Sequence, residues 1–94
     1  MSTDIASAGL LQRALELHPQ VALRPEPFGA LAYHYGNRRL VFLKHPDMVA
    51  VARSLAEHPS LVAALHACGI APTRHRSFAT AFSSLLDSEV IRER

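Results

Sequence analysis

The chain has 94 residues, 49% of them apolar and 19% charged, a balance that suits one folded domain and excludes a disordered, charge-rich segment. A domain of this size hides only roughly 60 to 65% of the surface its unfolded chain exposes, so its core is small. Ten basic against eight acidic side chains leave a net charge of +2, too little for the average field to require nucleic acid.

The single cysteine, Cys68, excludes an intrachain disulfide framework and fits a reducing compartment. Its neighbours Leu65, Ile70 and several alanines make packing its expected role. The opening Met1-Ser2-Thr3-Asp4 lacks the basic region of a signal peptide, and no apolar run approaches a membrane span. Cytoplasmic location without a membrane partner is therefore the expectation. Residues 1–17 read as an N-terminal extension, which could be helical, and residues 18–94 as the domain proper.

In chain order, residues 4–17 set Ile5, Ala8, Leu11 and Leu15 near one helical face, although Gly9 weakens the pattern and Pro19 ends it. Val21 and Leu23 alternate with Ala22 and Arg24 as a first strand, which Pro25 and Pro27 confine to an edge. A second strand over Gly29 to Tyr35 sends Leu31, Tyr33 and Tyr35 to one face and Ala30, Ala32 and His34 to the other. Gly36-Asn37 fits a two-residue type II′ turn into a third strand, Arg38 to Lys44, which is apolar on both faces. That turn pairs Tyr33 with Leu40, Leu31 with Phe42, Ala32 with Val41 and His34 with Arg39. One face is bulky and the other flat; the pattern leaves open which one packs on helices.

The period then changes from two to about 3.6. Pro46 suits the first turn of a helix striped by Met48, Val51, Ala52 and Leu55. Ser60 can cap a short second helix carrying Leu61, Leu65 and Cys68, with Gly69 as a left-handed exit. Thr73 can cap a third, whose Phe78, Phe82, Leu85 and Leu86 form the longest aromatic-rich stripe. Val90 and Ile91 remain as a short return strand or a packed tail. The fold class is α+β, a three-stranded antiparallel sheet followed by three helices.

Catalysis has little foothold. The six histidines form no HExxH or Cys-His signature, and Glu26, Asp47 and Glu57 have no spacing that identifies an acid–base pair. No phosphate-cradling glycine loop is present. A non-catalytic protein without metal or cofactor follows. The basic groups Arg38, Arg39, Arg74, His75 and Arg76 raise a winged-helix, nucleic-acid-binding alternative, but the apolar third helix offers a thin polar reading surface. An extended peptide added beside residues 38–44 accounts for the open strand more directly, with Arg38, Arg39 and Lys44 either orienting an acidic peptide at a rim or keeping the unoccupied edge from aggregating. A structural homodimer that buries the strand is the remaining alternative.

The segment His18-Pro19-Gln20-Val21-Ala22-Leu23-Arg24-Pro25-Glu26-Pro27-Phe28-Gly29-Ala30-Leu31, with Tyr33-His34, Gly36, Arg38-Arg39-Leu40 and Phe42-Leu43-Lys44, resembles the mycofactocin-biosynthesis chaperone family MftB. That family is similar to PqqD-like precursor-peptide recognition domains. The resemblance runs over roughly residues 15 to 91 and includes Val51 to Leu55 and Pro59. It implies a winged-helix-like arrangement and a protein that binds the leader of a precursor peptide, presenting it to a radical S-adenosylmethionine maturase. Carried onto this chain, the leader strand lies beside Arg38, Arg39, Leu40, Val41, Phe42, Leu43 and Lys44, in a groove toward the third helix. His75, Phe78, Ala79, Phe82 and Leu86 are candidates for the groove wall. With one cysteine the chain cannot supply the usual thiolates of an iron–sulfur cluster, so such cofactors would come with the maturase.

Overall fold

A computed structural model describes residues 9–94. Its elements are strand β1 (Leu15–Leu17), β2 (Val21–Glu26), β3 (Gly29–His34) and β4 (Leu40–Leu43), helices α1 (Pro46–Ser54), α2 (Leu61–Ala67) and α3 (His75–Asp87), and strand β5 (Ile91–Glu93). The expected α+β class holds: β2, β3 and β4 form an antiparallel sheet with β3 central, and three helices follow. A second sheet, β1 with β5, accompanies it.

The β3–β4 register is the expected one, with Tyr33 opposite Leu40, Leu31 opposite Phe42 and Ala32 opposite Val41. The connecting turn differs. A type II′ turn needs positive φ at Gly36, but the left-handed residue is Arg38, at φ 62°. The cause is His34, a buried side chain whose Nδ1 accepts hydrogen bonds from the backbone N–H groups of Gly36 and Asn37 at 3.0 and 3.1 Å. The Arg38 N–H then closes onto the His34 carbonyl at 2.8 Å, which lengthens the loop and shortens β4 to four residues.

The sheet buries its flat face. Ala30, Ala32, His34 and Leu43 point to the helical layer and are almost wholly buried, while Leu40 and Phe42 are 58% and 57% exposed. Small residues on the inner face let the helices approach closely; Leu43 belongs to one core cluster with Val51, Leu55, Leu65 and Phe82.

Helix ends explain why three short helices are stable. Pro46 opens α1, and His45 caps it by accepting the Asp47 N–H on Nδ1 at 3.0 Å. Ser60 caps α2 as expected, accepting the Ala63 N–H at 3.2 Å. The N–H groups of Leu61 and Val62 donate to the carbonyls of Arg13 and Leu11, so the N-terminal segment satisfies donors that the helix itself leaves unpaired. Gly69 exits α2 at φ 74°, with the Ile70 N–H bonded to the Leu65 carbonyl. Thr73 does not cap α3: it lies inside a 3₁₀ turn (Pro72–Arg74), and α3 begins at His75 with no side-chain cap.

The helix expected over residues 4–17 stops short. Residues 9 and 10 are helical, but Leu15–Leu17 form β1 and pair with Ile91–Glu93; residues 4–8 lie outside the described part. Val90 and Ile91 therefore belong to a return segment, not a loose tail, and both join Leu10 and Leu15 in the core. Cross-strand pairing with a distant partner overrides helical spacing here, because a three-residue strand can bury Leu15 completely.

Candidate functional site

Two features of β4 make it the candidate site. Among the described residues, β4 pairs only with β3, so its other edge is open. The His34 N–H donates to the Arg39 carbonyl at 3.0 Å. In an antiparallel ladder the direction of the backbone groups alternates, so Arg39, Val41 and Leu43 face β3 while Leu40 and Phe42 turn their N–H and C=O groups outward. The outward groups can form a ladder with one further strand.

Directly after β4 the chain turns through Lys44 and His45 into α1, beside a recess of about 200 Å³ lined by His45, Met48, Arg74, Ser77, Phe78 and Ala81. It is the space between the start of α1 and the first half of α3. Arg74 spans its rim: the guanidinium bonds the Asp47 carboxylate at 2.9 Å and lies 5.1 Å from the centre of the Phe78 ring. This fixed bridge joins the two helices on either side of the recess.

The residues singled out in the sequence divide into two groups. Arg38, Arg39, Leu40, Phe42 and Lys44 are exposed along β4 and its two ends, and Val41 and Leu86 are half-buried against the core. Leu43, His75, Phe78, Ala79 and Phe82 are buried. Phe78 still lines the recess, but Ala79 and Phe82 point into the core, and the His75 Nε2 lies 3.0 Å from the Ile70 carbonyl oxygen. Leu43, Ala79 and Phe82 thus belong to the buried interior and not to the lining of the recess. The pattern could not separate wall from core because a continuous apolar stripe reads the same in both.

The sequence reading missed Met48 and Ala81, which line the recess, and Phe28, which packs edge-on against Phe42 with ring centres 5.6 Å apart. Phe28 carried a signal, an aromatic placed at a turn between Pro27 and Gly29 with no core role in view. The basic start of α3 is largely committed: Arg74 is paired and His75 is buried. Among the described residues no three His, Cys, Asp or Glu side chains group as a metal site, and no helix is long and apolar enough to cross a membrane.

Comparisons with known proteins identify the family. Residues 14–92 match the Peptide chaperone MftB family. The chain is 48% identical over 79 residues to the peptide chaperone MftB of Mycobacterium ulcerans, a span of 84% of this chain and 72% of that protein. It is 48% identical over 75 residues to the same-named protein of Mycolicibacterium smegmatis, covering 80% and 74% of the two chains. The Mycobacterium tuberculosis counterpart is 43% identical over 79 residues, covering 84% and 72%. No solved structure matches. With a family match across most of its length and relatives this similar, the chain belongs to the peptide chaperone MftB family.

Proposed function

We propose that this protein is a non-catalytic chaperone that binds the leader of the mycofactocin precursor peptide as an added strand on β4 and presents it to a radical S-adenosylmethionine maturase. The observation that supports this most is the open β4 edge, whose Leu40 and Phe42 backbone groups face away from β3 beside an apolar recess. Strand addition uses the ligand's backbone for direction and affinity, and the alternate side chains for recognition. The leader's inward side chains would enter the recess of Met48, Phe78 and Ala81, while its C-terminal core remains free for the maturase. Iron–sulfur and S-adenosylmethionine chemistry belongs to that partner.

The test separates backbone from side chain. In Leu40→Pro the missing N–H is one that points away from β3, and proline is tolerated at the first residue of an edge strand. Titration calorimetry with a synthetic leader peptide should show at least about a tenfold loss of affinity for Leu40→Pro, with a smaller loss for Leu40→Ala. Wild-type affinity in a folded Leu40→Pro protein would remove strand addition from consideration. Val41→Asp is less informative, since Val41 packs on the core and a carboxylate there would disturb folding as well as binding.

A further inference from the structure

The outer face of the large sheet carries apolar surface that the recess beside α3 does not use. Phe28 is 40% exposed, and Tyr35, Leu40 and Phe42 are each more than half exposed. Phe28, Phe42 and the stem of Lys44 enclose a shallow, wholly apolar depression of about 220 Å³. The T-shaped contact between the two phenyl rings holds its walls in place.

Charge around this face is equally unfinished. Arg13, Arg24, Arg74 and Arg92 each have a carboxylate partner. Arg38, Arg39 and Lys44 are exposed, and none has an ion-pair partner among the described residues. These three cations stand at the two ends of β4. An acidic occupant is the one whose charge complements them.

Register converts these observations into a pattern. A ligand residue directly opposite Phe42 or Leu40 sends its side chain to the same face as those residues, whereas the residue between them points inward. Positions opposite Lys44 and Arg39 are about five residues apart on the added strand, whichever way it runs, so the side chain opposite Lys44 shares the outer face of Phe42 while the one opposite Arg39 turns inward at the other end.

We propose that the Phe28–Leu40–Phe42 face is a second wall of the leader site, selecting an acidic extended peptide whose apolar side chains at alternate positions pack on it between two carboxylates about five residues apart. The inference rests on strand addition to β4. One wall takes the inward residues at the α1–α3 recess, and this one takes the outward residues. Lys44 and the Arg38–Arg39 pair then set the register, because a shift by one residue would exchange the two sets of side chains.

Fluorescence anisotropy with a fluorescein-labelled synthetic leader peptide tests the wall separately from the edge. Phe28→Ala and Phe42→Ala should each weaken binding by about tenfold, and Lys44→Glu should weaken it and flatten its salt dependence. On the wild-type protein, leader peptides with serine at the outward apolar positions should lose affinity by a similar factor, a readout that does not depend on how the variants fold. Unchanged affinity in both series, with Leu40→Pro still inactive, would overturn the second wall and leave strand addition standing. No binding of the leader to the wild type would remove both. If sedimentation shows that Phe28→Ala converts a dimer to a monomer without altering leader affinity, the face belongs to a second copy of the chain and the inference fails.

Discussion

Two residues show how much the fold depends on backbone geometry. Gly29 begins β3 where the hairpin is tightest, and a β-carbon there would overlap the Leu43 carbonyl oxygen at the far end of β4. Gly29→Ala should therefore cost at least about 2 kcal/mol in urea denaturation, more than the few tenths expected of an ordinary exposed alanine. Glu89 is the opposite case. It exits α3 at φ 63°, donating its N–H to the Leu86 carbonyl at 3.1 Å while the Val90 N–H reaches Leu85 at 2.9 Å. Glycine favours that conformation, so Glu89→Gly should raise stability by about 0.5 to 1 kcal/mol, read by the same denaturation, after the small loss of a 3.3 Å contact with Asn37. Sequence pattern could identify Gly69 as an exit because glycine advertises it. It could not identify Glu89, whose conformation follows from the packing of Val90.

At the scale of elements, β4 was readable in register but not in orientation. Alternation assigned Leu40 and Phe42 to one face and Val41 and Leu43 to the other, and both pairs are apolar enough to be buried. The helical layer takes the alanine side because Ala30 and Ala32 leave room that Leu31 and Tyr33 would fill. The same alternation makes a prediction for amide exchange. In the free protein, Val41 and Leu43 should be protected and Leu40 and Phe42 should exchange fast; saturating leader peptide should slow the latter pair selectively, as followed by NMR. Uniform slowing across the whole domain would instead point to general stabilisation without strand pairing.

Across the described residues, β1 near their start pairs with β5 near their end, and this closure frames the sheet and helices around the candidate site. Leu15 and Ile91 are buried by the pairing, while the Arg92–Glu16 and Arg13–Glu93 ion pairs lie on its exposed side at 2.7 and 3.0 Å. Burial should dominate over charge. Ile91→Ala is expected to cost about 2 to 4 kcal/mol and Arg92→Ala under about 1 kcal/mol by urea denaturation. Equal losses would show that the ion pairs, not the core, hold the ends together. Because the segment leading into β1 is joined to α2 through the carbonyls of residues 11 and 13, loosening it would also disturb the helical layer behind the sheet.

Local chemistry was enough to determine the antiparallel hairpin, three helices in order, the caps at Ser60 and Gly69 and an apolar β4 flanked by basic residues. Each depends on residues near one another in the chain, where dihedral preference and side-chain period act directly. The tertiary structure decided what requires distant partners. It paired Leu15–Leu17 with Ile91–Glu93, turned the bulky face of the sheet outward, sank Phe82 and Ala79 into the core, and set Phe28 beside Phe42. Apolar side chains carry the same sequence signal whether they meet core or ligand; only the competition for a limited interior sorts one from the other.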